Sequence, residues 1–124
     1  MVAVSRRRQG DMANPSKNKG TTFETLMVNY FKQFWPRAER RALSGALDKG
    51  DVSGLPVPLE LKNCKSIDLA GWTKEAKKEA ENALAPFCPV IHNRRGKGDP
   101  ALQWVTIEAW VLVELLLAWE RDVA

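Results

Sequence analysis

Between Pro36 and Ser66 glycine and proline recur every few residues, in "PRAERRALSGALDKGDVSGLPVPLELKNCKS". Proline lacks the N–H that a helix interior requires, and glycine weakens one. The stretch is therefore cut into short strand-like pieces at about 38–45, 50–54 and 57–64, with "LDKGD" and "SGLP" as turns. The flanks follow another period. In "FETLMVNYFKQFW" the apolar residues Phe23, Leu26, Met27, Tyr30, Phe31 and Phe34 recur at three- and four-residue steps. That spacing predicts a helix capped by Thr21 or Thr22, ending before Pro36, with one face packed inward and Glu24 in its first turn.

"SIDLAGWTKEAKKEAENALAPF" has the Ala, Lys and Glu content of a helix from about 69 to 84, stopped by Pro86. "CPVIHNRR" (88–95) and "LQWVTI" (102–107) read as strands around a "GKGDPA" loop, and a last helix spans about 108–121. The predicted order is αβββαββα: an α/β domain over residues 21–124, with a central mixed β-sheet flanked by helices. Residues 1–20 hold Arg, Lys, Asn, Ser and Gly without apolar periodicity, which predicts a flexible basic arm.

Charge is unevenly spread. Residues 1–50 hold ten Lys/Arg against four Asp/Glu, and residues 51–124 hold nine against eleven. A basic leading half suits a polyanionic partner. Cys64 and Cys88 make neither a disulfide framework nor a CxxC pair, and a single histidine argues against zinc. The N-terminus lacks the apolar run of a signal peptide. "AWVLVELLLAW" (109–119) is too short to cross a bilayer and is broken by Glu114. The expectation is a soluble, cytoplasmic protein without a membrane partner.

"GDVSGLPVPLELK" (50–62) places charge where core is expected. On a strand, side chains i and i+2 share a face, so Glu60 and Lys62 stand together while Leu59 and Leu61 face away. A hairpin through Ser53–Pro56 can fold Asp51 back beside them. Two close carboxylates repel unless a cation sits between them, and magnesium suits that position, with the Leu61 backbone carbonyl as a third oxygen. A metal so held polarises a phosphate oxygen and lowers the pKa of bound water, while Lys62 orients the water or stabilises charge on the phosphate. An isolated ExK pair on a half-exposed strand is also a common solvated ion pair.

The ordered set "KGTTFETLMVNYF", "RRALSGALDKGDVSG" and "PLELKN", followed by an Ala/Glu-rich helix, resembles the PD-(D/E)xK nucleases of restriction-endonuclease-like fold. The wider pattern looks like that of the small Holliday junction resolvases of archaeal and phage type, over about residues 19–107. The resemblance implies that Glu24 is the acid of the first helix and a further candidate metal ligand. By the same likeness Asp51 and Glu60 are metal ligands and Lys62 is the catalytic lysine. Gly50 stands where the family's name-giving proline would be. Asp48 is a rival for Asp51, which is preferred because it precedes a β-branched residue at a strand start.

The implied protein is a magnesium-dependent (manganese substituting), structure-selective DNA endonuclease that cuts four-way junctions as a homodimer. Arg6, Arg7, Arg8, Lys17, Lys19, Arg40 and Arg41 are its candidate DNA contacts, and "NRRGKG" (93–98) is a second basic loop. A nickase, a flap nuclease or a recombination-linked exonuclease is an alternative within the fold, and a non-catalytic DNA-binding protein is one outside it. Lys74, Lys77, Lys78, Glu75, Glu79 and Glu81 read as a solvated helix face, and His92 as a strand residue without a catalytic role. Trp72, Trp104, Trp110 and Trp119 read as core or interface anchors. The final helix, with Leu112, Leu115, Leu116, Leu117 and Trp119, is either buried within its own chain or shared with a second copy.

Overall fold

A computed structural model describes residues 19–41 and 47–123. Its elements are α1 (Lys19–Lys32), β1 (Glu39–Arg40), β2 (Val52–Ser53), β3 (Glu60–Lys62), α2 (Leu69–Asn82), β4 (Val90–His92), β5 (Trp104–Thr106) and α3 (Ala109–Val123), with a 3-10 turn at Pro100–Leu102 before β5. The chain is thus mixed α/β, with three helices and two small sheets among the described residues.

A single central sheet was expected, and the strands instead divide into two. β1 and β2 pair antiparallel, with Arg40 opposite Val52. β3 pairs parallel with β4, and β4 antiparallel with β5. Between β2 and β3 only the isolated bridge Val52–Leu59 remains, together with the Asp51 N–H donating to the Leu59 carbonyl at 2.8 Å. Two causes meet here. Pro56 and Pro58 remove backbone donors from the hairpin. The Asp51 side chain also occupies the Leu61 N–H that a continued ladder would use.

Period-two alternation sorts the three-stranded sheet into faces. Leu59, Leu61 and Ile91 pack with Val52 against Phe23, Leu26, Met27 and Val28 of α1. On the other face Val90 packs against Trp72 and Ala76 of α2, and the His92 ring lies 5.2 Å from that of Trp72. His92 is a buried strand residue whose Nε2 meets Thr106 Oγ1 at 2.7 Å, and burial holds its pKa below the usual value. The sheet is sandwiched, and Glu60 and Lys62 project toward α2.

The helix ends follow local chemistry. α1 begins at Lys19, ahead of the expected threonine caps, and the aromatic run continues through Tyr30, Phe31, Phe34 and Trp35 as edge-on and tilted ring contacts. Asp68 caps α2 by accepting the Gly71 N–H. At its other end Leu84 N–H donates to the Glu81 carbonyl and Ala85 N–H to the Ala80 carbonyl, the paired bonds of a Schellman motif. That motif puts its outer residue in the left-handed region, and here it is Leu84, with φ 55°. Gly54 has φ +84°, and a Cβ there would stand 2.1 Å from the Arg37 carbonyl oxygen, so the hairpin tip touches the chain entering β1 only because the residue is glycine.

Of α3 only Val111 is buried. Trp110, Leu112, Val113, Leu115, Leu116, Leu117 and Trp119 are exposed, as are Trp104 and Val105 of β5. The reading in which one chain buries this helix is therefore corrected, and of the four tryptophans considered only Trp72 is core. Helices α1 and α2 already cover the two faces of the sheet, and α3 follows from its edge strand. Among the described residues no helix is long and apolar enough to cross a membrane.

Candidate metal centre

Glu60 is one of two buried carboxyl groups among the described residues. It is 2 % exposed although it carries a carboxyl group, and it lies on the α2 face of β3. Burial first, then hydrogen-bonding contact with the carboxyl groups of Asp51, Glu79 and Glu75, pushes its pKa far above the ordinary range. A carboxyl in such company holds a proton unless a cation replaces it.

Asp51 reaches this place through the edge of β3. The ladder to β4 uses Glu60 N–H, donated to the Pro89 carbonyl, and the Lys62 carbonyl, which accepts from Asn93. The backbone groups of Leu61 therefore face the opposite edge, where Asp51 Oδ2 accepts the Leu61 N–H at 2.7 Å. The Leu61 carbonyl lies along the same edge. Gly50 has φ +97°, in the left-handed region that favours glycine and that proline cannot adopt. Here the approach to Asp51 depends on that left-handed turn, with Asp48 Oδ1 accepting the Gly50 N–H at 2.9 Å.

Lys62 completes the group. Its Nζ lies 3.0 and 3.2 Å from the two carboxylate oxygens of Glu75 and 3.8 Å from Glu60 Oε2. Partial burial would lower its pKa, but Glu75, Glu60 and Asp51 outweigh that and raise it, so the side chain is an ammonium. Glu75 is correspondingly held below the usual carboxylate range, by its hydrogen bond with Glu60 and by Lys62, against the opposing effect of burial.

The structure thus brings Asp51, Glu60 and Lys62 together, with the Leu61 carbonyl on the adjoining edge. Glu24 takes a different partner: its carboxylate is ion-paired with the guanidinium of Arg40, linking α1 to β1. Arg40 is exposed, whereas Arg41 is half-buried and donates its backbone N–H to the Asp51 carbonyl at 2.8 Å. Lys19 opens α1, and Arg6, Arg7, Arg8 and Lys17 lie outside the described residues. In the second basic loop, the Arg94 guanidinium stacks over the Trp104 ring at 4.1 Å.

The expected solvated face of α2 is corrected. Glu79 is 1 % exposed, in line with Trp72, Ala76 and Ala80 on the buried side of the helix. Glu75 carries Lys62. Ligand oxygens of Glu75, Glu79 and Asp48 all lie within 4.8 Å of one another. Asp48, considered only as a rival to Asp51, is therefore its neighbour across the same acidic group. Alternating Lys and Glu residues hid these acids, but the positions Trp72, Ala76, Glu79, Ala80 and Ala83 carry the i, i+4, i+7 signature that marks Glu79 as inward.

The donor set is all oxygen, five carboxyl groups around one ammonium, which fits a hard divalent cation and not a soft one. No family model, curated protein or solved structure matches the chain.

Proposed function

We propose that the protein is a divalent-metal-dependent nuclease of restriction-endonuclease-like architecture that hydrolyses DNA phosphodiester bonds, with the four-way junction as its substrate. The observation that carries this reading is the convergence of Asp51, a buried Glu60 and the Lys62 ammonium at one end of a sheet, drawn from separate segments. Asp51 and Glu60, with the Leu61 carbonyl, would hold the metal. A bound magnesium or manganese ion supplies Lewis acidity toward a phosphate oxygen and a lowered pKa for water.

The chain's own groups do the rest. Lys62, protonated at neutral pH, offers N–H donors to a phosphate oxygen as negative charge builds there. Glu60, buried between Asp51 and the acids of α2, would be held in place as a ligand by its packing. Arg40, Arg41 and the basic residues ahead of α1 would follow the DNA backbone, which favours recognition by shape and charge over base reading. Cutting a junction symmetrically takes two active sites, and the uncovered apolar surface of α3 and β5 supports a homodimer.

The test is a cleavage panel of four-way junction, duplex, flap and single strand with magnesium. Junction-selective cutting that Lys62→Ala abolishes, with DNA binding retained, is the expected result. Unaltered cutting by that variant, or cutting of no substrate, refutes the reading. Cutting of flaps or nicked duplex in preference to junctions would keep the chemistry and replace the substrate.

A further inference from the structure

We propose that Asp48, Glu75 and Glu79 form a second divalent-cation site, for a hard ion of the magnesium and manganese class, next to the Asp51–Glu60 pair. One ligand oxygen from each lies within 4.8 Å of the other two. The oxygens around an octahedral ion with bonds of about 2.1 Å stand roughly 3–4 Å apart, so a small inward movement closes the set.

Glu79 makes this more than a group of surface acids. The residue is 1 % exposed, and both of its carboxyl oxygens are buried without an N–H or O–H donor among the described residues. The ligand groups nearest to it, Asp48 and Glu75, are acids themselves. A buried carboxylate facing four other carboxyl groups lacks a counter-charge, and a cation between Glu79, Glu75 and Asp48 provides it.

The partners are held in place for that role. Glu75 and Glu79 are one turn apart on α2. Asp48 is anchored twice, by its own Oδ1 to the Gly50 N–H and by its carbonyl, which accepts from Asn82 Nδ2 at 2.7 Å. A depression of about 600 Å³, lined by Asp48, Glu75 and Glu79 with Lys74 and Lys78 on its walls, opens the cluster to solvent and gives an ion its entry path. Glu75 grips Lys62 through both oxygens, so its ligation to an ion would compete with that pair.

The inference deepens the nuclease reading and rests on it for what the second ion would do; ion binding itself is measured without DNA. Manganese is titrated into the full chain, with bound ion counted by loss of the free-ion electron paramagnetic resonance signal. Two ions per chain are expected. Glu79→Gln and Asp48→Asn should each remove one ion or weaken it at least tenfold, and Asp51→Asn should remove the other. Asp48 is exposed, so its substitution keeps the test valid if Glu79→Gln misfolds. One ion per chain, unaffected by Glu79→Gln and Asp48→Asn but lost in Asp51→Asn, overturns the second site and leaves the nuclease reading standing. Two ions per chain without cleavage of any DNA sinks the nuclease reading and leaves the second site standing. An absence of manganese binding overturns both.

Discussion

The Asp51 carboxylate accepts the backbone N–H of Leu61 at 2.7 Å, doing with a side chain what a neighbouring strand would otherwise do with its carbonyl. This gives the residue two separable duties. Asp51→Ala leaves a half-buried N–H without a partner, and we expect a loss of about 1–3 kcal/mol in urea unfolding. Asp51→Asn retains an amide oxygen as acceptor and should cost less than half of that while removing metal-dependent cleavage. Equal destabilisation by the two variants would refute the structural duty.

Lys62 is the one ammonium within the carboxyl group cluster. Lys62→Met should lower cleavage by about 10²–10³-fold, the magnitude of a lost charge-stabilising donor. It should also destabilise the metal-free protein, because Glu75 and Glu60 lose their cation. Saturating magnesium should recover the stability but not the activity. Thermal melts with and without the ion, beside single-turnover cleavage rates, separate the two effects.

Burial raises the Glu79 pKa to about 7, reinforced by Asp48, Glu75 and Asp51 and opposed by the hydrogen bond with Glu60. Cys88, its thiol pushed up to about 12 chiefly by burial, also lies within the reach of Glu79. Below the ordinary value of 4.5 the folded and unfolded chains both hold the Glu79 proton, so this group has no effect on stability there. Between there and about 7 only the folded chain holds it, so stability falls as pH rises, and above 7 the penalty is constant. Glu79→Gln should therefore gain on the native protein between pH 4.5 and 7, by an amount on the order of 1–3 kcal/mol, and run parallel to it above. Melts in chelator at pH 5, 6, 7 and 8 measure this. The buried His92 acts with the opposite sign, but equally in both proteins.

Leu84 occupies the left-handed position of a Schellman motif with its side chain almost wholly in solvent. Leu84→Gly relieves backbone strain and gives up little packing. It should stabilise the protein by about 1 kcal/mol, seen as a rise of a few degrees in Tm.

The exposed row on α3 predicts a dimer of the full chain in sedimentation equilibrium. Leu116→Glu places a charge in the middle of that row and should yield a monomer with an unchanged circular dichroism spectrum. A wild-type monomer at high micromolar concentration would refute the dimer.

Much of this architecture is legible in the sequence where local rules act alone. Period-two alternation at Leu59–Lys62 gives the two faces of β3, three- and four-residue spacing gives α1, and Ala, Lys and Glu content gives α2. β4 spans Val90–His92 where 88–95 is expected, and Pro89, which cannot donate to a ladder, sets its start; the expected strand at 38–45 runs into residues 42–46, outside the described ones. The split between the sheets was not legible, since it depends on a side chain substituting for a strand ten residues away. Glu75, Glu79 and Asp48 were concealed for a related reason. A Lys/Glu alternation looks solvated until the helix is docked, and only docking shows that the Trp72 stripe carries Glu79 inward. Excess apolar content in α3 was legible, but whether its own chain covers it was a question of tertiary geometry.

Because a carboxylate, and not a strand, takes up the outer N–H of β3, the amide at position 61 is a sentinel for events at the acidic cluster. An ion that draws Asp51 away would break that hydrogen bond and quicken deuterium uptake at Leu61 while its neighbours, locked to β4, exchange as before. One backbone proton would then report occupancy in solution, with no label and no nucleic acid present.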